Sequence, residues 1–224
     1  MSISSGAPLI ARGRDADVFA LDAHRVLRRY RRGGDVSHEV SVMTHVAERG
    51  YPVPAVYEAA GTDLVMERLD GPTMLQALVA GDVGVEDAGA VLAGLHERLH
   101  AIPARLSRDP EIRILHLDLH PDNVVLSQRG PVVIDWRNAA EGLPDLDVAL
   151  SALILAQVAV DTGHELAAAA HRLLSAFVRA ADGNPLRQLD QAVAIRQDDP
   201  ALTRDDVGRL PSAAELVRRV RTRG

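Results

Sequence analysis

Cysteine is absent from this 224-residue chain, and aromatic residues are few. Without cysteine the chain can form no disulfide, no thiolate zinc site and no cysteine nucleophile. The same absence is typical of proteins in a reducing cytosol, so we expect a cytoplasmic protein. Because only two Phe, three Tyr and one Trp are present, a hydrophobic fraction of 47% must supply a core built mainly from Ala, Val and Leu.

Excess positive charge and long apolar segments are also missing. A formal net charge of -6 and a pI of about 5.8 argue against general nucleic-acid binding. The N-terminal segment has neither the basic start nor the apolar stretch of a signal peptide. The longest apolar run, residues 148–160, is interrupted by Ser151 and Gln157 and is too short to span a bilayer. We therefore expect no nucleic-acid or membrane partner, and the sequence does not indicate an oligomeric state.

The pattern of apolar residues predicts an α+β fold. The first third alternates as strands do, with a turn between the last two, at 8–13, 16–21, 24–30, 53–59 and 63–69. One helix is expected among them from about Asp35 to Glu48, capped by Asp35. Four apolar residues should share one face of that helix: Val36, Val40, Met43 and Ala47.

After residue 70 the pattern becomes mainly helical. The expected helices are 72–79, 84–100, 145–160, 163–181, 184–197 and 211–222. Two short strands, "NVVLS" and "PVVID", interrupt this series. We therefore predict a β-rich lobe with one helix over residues 1–69 and a mainly α-helical lobe over 70–224.

The segment "HLDLHPDNVVL" at 116–126, followed by "VVIDW" at 132–136, carries the strongest chemical signal. Transfer of a phosphoryl group needs a residue that orients the acceptor hydroxyl, oxygen ligands for Mg²⁺ and a cation on the phosphates. Asp118 can orient the hydroxyl. Asn123, five residues later, and Asp135, twelve residues after that, can supply the hard oxygen ligands that Mg²⁺ prefers.

The cation on the phosphates is predicted to be Arg28. It follows the apolar residues of a strand, and Glu39 lies beside the apolar stripe of the following helix. A carboxylate there is costly to bury without a partner, so an Arg28–Glu39 ion pair would satisfy it and aim the cation. Arg29 replaces Arg28 if the strand register shifts by one residue.

These motifs resemble the aminoglycoside phosphotransferase and choline kinase-like enzymes, which have a protein-kinase-like two-lobed fold. The resemblance implies transfer of the γ-phosphate of ATP or GTP to a hydroxyl of a small molecule. It implies Asp118 as the catalytic aspartate, Asn123 and Asp135 as Mg²⁺ ligands, and Arg28 with Glu39 as the phosphate-binding pair. It also places the nucleotide hinge at residues 66–69, through Met66, Glu67 and Leu69.

The chain departs from that family's pattern at two positions, and its net charge gives an indication of the acceptor. Arg28 stands where the family has Lys, which changes the geometry of phosphate contact. Leu117 stands where the family often has Gly. The acidic net charge suggests a cationic acceptor, such as an aminoglycoside or an amino alcohol.

Three alternatives remain at this point. The alternating polar side chains of residues 116–122 could form a metallohydrolase site. The chain could be an atypical protein kinase, although only a short segment separates Asp135 from Pro144. It could also bind nucleotide without turnover.

Several polar or aromatic residues near the motif are expected to have structural roles. His116 should brace the loop, and Asp145 and Asp147 should cap the following helix and anchor the loop. His120 is equally suited to loop packing and to lining the acceptor site. The remaining three are expected to pack in the interior: His96, His100 and Trp136.

Overall fold

The computed structural model describes residues 7–13, 15–31 and 33–223. Their contacts divide into two compact units. The first comprises the described residues up to Pro72 together with Val125–Asn138, and the second comprises Thr73–Val124 and the described residues from Ala139 onwards.

The described part of the first unit contains a five-stranded antiparallel sheet in the order β1-β2-β3-β5-β4. All five strands agree with the predicted segments, and they span Leu9–Arg12 (β1), Ala16–Ala20 (β2), Arg25–Tyr30 (β3), Val56–Ala60 (β4) and Asp63–Glu67 (β5). In β3, Arg28 lies opposite Val18 of β2 and Leu64 of β5. Because side chains alternate along a strand, Arg28 and Tyr30 project from the same face.

In the first unit, helix α1 (Ser37–Ala47) packs against β4. Its cap differs from the prediction: Val36 is the N-cap residue, and the Asp35 carboxylate instead accepts hydrogen bonds from the backbone N and Oγ of Ser37. The buried face also differs, because Val40 is half-buried and Ala47 exposed. That face consists of Glu39, Val42, Met43 and Val46, so Glu39 lies within the apolar stripe rather than beside it.

The residues of the motif that precede β7, 116–123, are called the motif loop. A hairpin of β7 (Val124–Ser127) and β8 (Gly130–Val133) follows it. From Val125 onwards it belongs to the first unit, whereas the predicted division at 69/70 placed it in the second lobe. Backbone hydrogen bonds explain the difference, because Leu126 N donates to Pro72 O and Val133 N donates to Pro52 O. Hydrogen bonding between segments distant in sequence leaves no local pattern.

The second unit is built mainly from helices. They span Met74–Ala80 (α2), Val85–His100 (α3), Pro144–Val160 (α4), Ala167–Ala180 (α5), Leu189–Gln197 (α6) and Arg204–Arg223 (α7). Helices α3 and α5 pack together, and α4 contacts α5, α6 and α7. Helix α7 begins seven residues before the predicted start at Pro211, which lies inside the helix. Two short strands complete the unit: β6 (Arg113–Leu115) and β9 (Ala140–Gly142) pair antiparallel.

A membrane-crossing helix, which would have to be both long and continuously apolar, is not found among the described residues.

Candidate active site

In the first unit a buried arginine links two carboxylates. Arg28 Nη1 donates to Glu39 Oε1 over 2.9 Å, and Arg28 Nη2 donates to Asp135 Oδ1 over 2.5 Å. The side chains of Arg28 and Glu39 are 10% and 4% exposed, whereas that of Asp135 is 41% exposed. The predicted ion pair between Arg28 and Glu39 is therefore present, and Arg28 also holds the one carboxylate of this cluster that solvent reaches.

The surroundings fix the charge of this cluster. Burial by itself would lower the pKa of Arg28, but the carboxylates of Asp135 and Glu39 outweigh it and raise that pKa. Tyr30 Oη donates to Glu39 Oε2 over 2.7 Å, and burial together with the neighbouring Glu39 raises the pKa of Tyr30. Arg28 therefore stays cationic, and Tyr30 stays a protonated hydrogen-bond donor.

The structure decides the register between Arg28 and Arg29. Arg29 projects from the opposite face of β3, where its Nε donates to Asp63 Oδ1 over 2.7 Å. The ion pair with Glu39 is therefore made by Arg28, and Arg29 pairs with Asp63 instead.

Tyr30 was not anticipated from the sequence. Its hydroxyl completes the partners of Glu39, and its ring lies beside two arginines, with Arg28 Cζ 4.9 Å and Arg137 Cζ 4.3 Å from the ring centroid. The period-2 alternation that places it on the face of Arg28 could have revealed it.

Asp135 lies at a turn with an unusual backbone. Its φ is 64°, in the left-handed region that residues other than glycine seldom adopt, and Leu117 of the motif loop has a φ of 63°. Such conformations persist where the surrounding structure enforces them, and they are concentrated at functional sites. The neighbouring Trp136 is fully buried, donates from Nε1 to Val133 O and meets Tyr51 edge-on, which confirms the predicted packing role.

The predicted nucleotide hinge is partly used for contacts within the first unit. Glu67 N donates to Ala55 O, and Glu67 Oε2 accepts hydrogen bonds from Ala55 N and Arg129 Nη2. Met66 pairs with Val26 across β3 and β5. Leu69 lies just beyond the end of β5 at Glu67. The side chain of Glu67 therefore fastens the hairpin turn at Arg129 to β5.

In the second unit Asp147 anchors the motif loop. This fully buried side chain accepts hydrogen bonds from Leu117 N at 2.7 Å, from His116 N at 3.0 Å and from His100 Nε2 at 3.0 Å. The predicted anchoring role of Asp147 is confirmed. Its predicted capping role is not, because Leu143 is the N-cap residue of α4 and makes no side-chain cap.

Burial by itself would raise the pKa of Asp147. The hydrogen bond from His100 and the donation from the backbone of His116 outweigh that effect and hold the pKa well below its usual range. Asp145 acts elsewhere, because its carboxylate accepts a hydrogen bond from Asn184 N over 2.7 Å.

Asp118, His120 and Asn123 lie together in the loop. Asn123 Nδ2 donates to Asp118 O over 2.8 Å and lies 3.2 Å from His120 Nε2. His120 Nε2 is 3.8 Å from Asp118 Oδ1. His116, fully buried, accepts a hydrogen bond at Nδ1 from Asp118 N, which confirms its predicted role as a brace. The loop thus presents a carboxylate and an amide whose positions are set by backbone contacts.

The metallohydrolase alternative finds no support in this geometry. Within the part of the chain that the structure describes, no three His, Asp or Glu side chains are grouped to hold a metal ion. His96 also has a structural role: its ring contacts Leu92 O and Ser151 Oγ, and burial lowers its pKa to about 4. Together with the His100–Asp147 hydrogen bond, this confirms the predicted packing role of the two helix histidines.

Comparison with known proteins identifies the relatives of this chain. Its sequence matches the phosphotransferase enzyme family (APH) over residues 7–108 and 97–182. A comparison with curated proteins gave no match.

Three solved structures illustrate the fold. A choline/ethanolamine kinase family protein from Mesorhizobium loti is 13% identical, with a TM-score of 0.58 and coverage of 99% of this chain and 94% of that one. A thermostable mutant of aminoglycoside phosphotransferase APH(4)-Ia, in ternary complex with AMP-PNP and hygromycin B, is 16% identical, with a TM-score of 0.57 and coverage of 96% and 94%. The amicoumacin kinase hAmiN in complex with AMP-PNP, Ca²⁺ and Ami is 12% identical, with a TM-score of 0.57 and coverage of 94% and 87%. The predicted protein-kinase-like α+β fold is confirmed.

Proposed function

The chain belongs to the phosphotransferase enzyme family, and we propose that it transfers the γ-phosphate of ATP or GTP to a hydroxyl of a small molecule. The observation that carries this proposal is the buried guanidinium of Arg28, which is held by Glu39 and contacts the exposed carboxylate of Asp135. A buried, permanently charged arginine beside a solvent-accessible carboxylate suits a polyphosphate with its metal ion.

Arg28 is proposed to contact the nucleotide phosphates. A guanidinium has five N–H donors, and Glu39 and Asp135 each take one through different nitrogens. The remaining edge can meet phosphate oxygens in the bidentate manner that a lysine cannot reproduce. Glu39 is proposed to hold the guanidinium in place, as a positioning residue.

The adenine or guanine base is proposed to lie against residues 66–69. Met66 and Glu67 belong to β5, where the Glu67 N–H is already bonded to Ala55 O, and Arg68 N donates to His24 O. Leu69, the next residue, is therefore the proposed backbone contact for the base. Exchange of Leu69 for proline, which removes its N–H, should weaken nucleotide binding.

Asn123 and Asp135 are proposed to hold Mg²⁺ together with the phosphates. The residues fit this ion: Asp135 is a partly exposed carboxylate, and Asn123 uses its amide nitrogen for the loop contacts, so the amide oxygen is the atom it can offer a cation. When bound, Mg²⁺ would neutralise the charge that develops on the phosphate oxygens. Two protein ligands suffice, because Mg²⁺ usually keeps waters and substrate oxygens in its shell.

Asp118 is proposed to orient the acceptor hydroxyl. In the reaction the hydroxyl oxygen bonds to the γ-phosphorus, and the bond from the γ-phosphorus to the oxygen that bridges it to the β-phosphate breaks. The nucleoside diphosphate leaves, and the proton of the hydroxyl passes to the Asp118 carboxylate. The hydrogen bonds from Asn123 Nδ2 to Asp118 O and from Asp118 N to His116 Nδ1 fix this residue's backbone for that role.

Binding of nucleotide tests the first half of the proposal. We expect ATP with Mg²⁺ to raise the melting temperature of the wild type, since a ligand at 100 times its Kd stabilises by about 2.7 kcal/mol. Asp135→Asn should lose the Mg²⁺-dependent part of this shift. Asp63→Asn, the same change at a carboxylate on the other face of the sheet, should keep it. If neither ATP nor GTP shifts the wild type at millimolar concentration, the proposal is wrong.

A nucleotide-binding protein without turnover is the second candidate. The observation that favours it is the ion pair between Arg28 and Asp135, which already uses one oxygen of the carboxylate that is proposed to bind Mg²⁺. Tight nucleotide binding without formation of a phosphorylated product from any alcohol would support it over the first.

A further inference from the structure

The second unit contains a cavity beside the motif loop. Its volume is about 300 Å³, near the lower end of small-molecule pockets. Helices α2, α4 and α5 form its walls, and the loop residues His120, Pro121 and Asp122 line one side. The walls are aliphatic, and six of the side chains that form them are Leu75, Leu78, Ile154, Leu155, Val158 and Leu173.

The charges around this cavity do not suit a polycation. Asp122 is the one carboxylate among the described residues that line it, and its Oδ1 already accepts a hydrogen bond from Thr73 Oγ1 over 2.9 Å. The other ionisable groups are His120 inside and two exposed side chains, His164 and Arg172. Each ammonium group of an amino sugar would need an acceptor to replace its water, and Arg172 would repel it.

One side chain of the cavity lining, His120, lies close to the proposed catalytic aspartate. His120 lines the cavity, and its Nε2 lies 3.8 Å from Asp118 Oδ1 and 3.2 Å from Asn123 Nδ2. A molecule seated in the cavity therefore meets the imidazole of His120, the lining side chain that lies beside Asp118.

From this geometry we propose that the cavity binds the aliphatic body of an uncharged alcohol and presents its hydroxyl at the His120 end, towards Asp118. The inference rests on the proposed function, and it names the acceptor class of the same reaction. It replaces the cationic acceptor suggested by net charge, because the charge of the whole chain does not describe the lining of one cavity. The acceptor class follows from three features: the aliphatic walls, the carboxylate of Asp122 that already accepts a hydrogen bond, and the exposed guanidinium of Arg172.

A series of straight-chain alcohols tests the aliphatic walls. With Mg²⁺ and ATP, we expect KM to fall by about fourfold for each methylene from butan-1-ol to octan-1-ol, the change expected for burying one methylene group. Neomycin, a polycationic amino sugar, should be a far poorer acceptor by kcat/KM. A higher kcat/KM for neomycin than for octan-1-ol would overturn the inference and leave the proposed function intact.

A substitution that fills the cavity provides the matched test. Ile154 lines the cavity on α4, and Ile195 lies on α6, 39% exposed and outside the cavity lining. Ile154→Phe should raise the KM for octan-1-ol by about tenfold, which corresponds to losing one to two buried methylene groups. Ile195→Phe, the same change in size, should leave this KM within about twofold of the wild type, as expected for a surface substitution. Equal effects of the two substitutions would contradict the inference.

Binding of octan-1-ol without nucleotide distinguishes a failure of this inference from a failure of the proposed function. We expect calorimetric binding of octan-1-ol to the wild type and to Ile195→Phe, and its loss in Ile154→Phe. If ATP and Mg²⁺ bind but octan-1-ol neither binds nor is phosphorylated, the inference fails and the proposed function stands. If octan-1-ol binds as expected but no nucleotide binds, the proposed function fails and the assignment of the cavity to an aliphatic ligand stands.

Discussion

At the scale of single residues, Arg28 contacts two carboxylates that differ in exposure. Glu39 is almost fully buried and also accepts the hydroxyl of Tyr30, so its charge is balanced within the fold. Asp135 is partly exposed and has a strained backbone, as expected for a residue that must meet a ligand. The two partners of one guanidinium are therefore assigned different roles, one positioning and one ligand-binding.

This assignment predicts how stability depends on Glu39. Glu39→Gln keeps the shape but leaves Arg28 and Tyr30 with an uncharged partner, so we expect the free energy of unfolding to fall by about 3 kcal/mol, as for other broken buried ion pairs. Asp63→Asn removes the carboxylate that pairs with the partly exposed Arg29 and should cost at most about 1 kcal/mol. Urea unfolding of both variants measures the difference. Similar losses in the two would show that the Arg28–Glu39 pair is not a buried electrostatic contact.

The residue-level predictions succeeded where a local rule applied. Arg28 and Glu39 could be paired from the sequence because a carboxylate on the apolar side of a helix needs a cation. The second partner, Asp135, is 107 positions from Arg28, and no local pattern predicted that contact. Tyr30 was missed because a hydroxyl, unlike a buried charge, does not indicate from the sequence which partner it needs.

At the scale of elements, helix α4 determines the path of the motif loop. Asp147 in its first turn accepts both backbone N–H groups of His116 and Leu117, and Leu117 adopts the left-handed conformation just before Asp118. Asp147 therefore fixes the backbone immediately before Asp118, the proposed catalytic residue.

Loss of the Asp147 charge should weaken this anchor. Asp147→Asn places an amide donor against existing donors, so we expect a loss of about 3 kcal/mol in the free energy of unfolding. Asp145→Asn is the same change two residues earlier in α4, where the carboxylate accepts hydrogen bonds from Asn184 N and Arg187 Nη1, and it should cost about 1 kcal/mol. Chemical denaturation near neutral pH compares the two variants. A loss at Asp147 no larger than at Asp145 would contradict the anchoring role.

The same anchor predicts a pH dependence. Because the folded-state pKa of Asp147 lies below its unfolded value of about 3.9, its contribution is fully present above that value and is lost as pH falls through the folded-state pKa. The stability difference between the wild type and Asp147→Asn should therefore be constant from neutral pH down to about pH 5 and shrink below about pH 4. A difference that is unchanged at about pH 3, measured while both proteins remain folded, would refute this linkage.

The contact between α3 and α5 gives a further prediction at this scale. A methyl group at Gly89 of α3 would lie 2.6 Å from Ala176 Cβ of α5, whereas one at Gly94 of the same helix would meet nothing within 4 Å. Gly89→Ala should therefore destabilise the protein by about 2 kcal/mol through overpacking. Gly94→Ala should stabilise it by up to about 1 kcal/mol through helix propensity. Thermal unfolding measures both, and stabilisation by both substitutions would show that the two helices are not in this close contact.

Element boundaries were predictable only where the sequence marks them. Gly81 ends α2 in a left-handed conformation, and the helix from 85 to 100 was placed correctly by its apolar period. The predicted start of α7 at 211 is wrong: Pro211, a residue type that favours the first turn of a helix, here lies inside the helix. The pairing of β6 with β9 was not foreseen, since three-residue strands separated by a long segment carry too little pattern.

At the scale of the whole molecule, the chain passes three times between its two units, after Pro72, Val124 and Asn138. Sequence order alone predicts one boundary, and the hydrogen bonds of Leu126 and Val133 with residues of the first unit explain the other two. Arg28 and Asp135, which are proposed to bind the nucleotide and its metal ion, belong to the first unit. Asp118, the proposed catalytic residue, belongs to the second.

Formation of a phosphorylated alcohol from ATP labelled on the γ-phosphate tests the central claim most directly. The assay compares the wild type with Asp118→Asn and with Asp109→Asn, using both aliphatic alcohols and amino sugars as acceptors. Asp109 is an exposed aspartate outside the motif, and its carboxylate accepts a hydrogen bond from Glu111 N. The account predicts Mg²⁺-dependent transfer by the wild type and by Asp109→Asn, and a loss of about 100-fold or more in Asp118→Asn, as for removal of a general base. Transfer by Asp118→Asn at the wild-type rate, or no labelled product with any acceptor while nucleotide is bound, would contradict it.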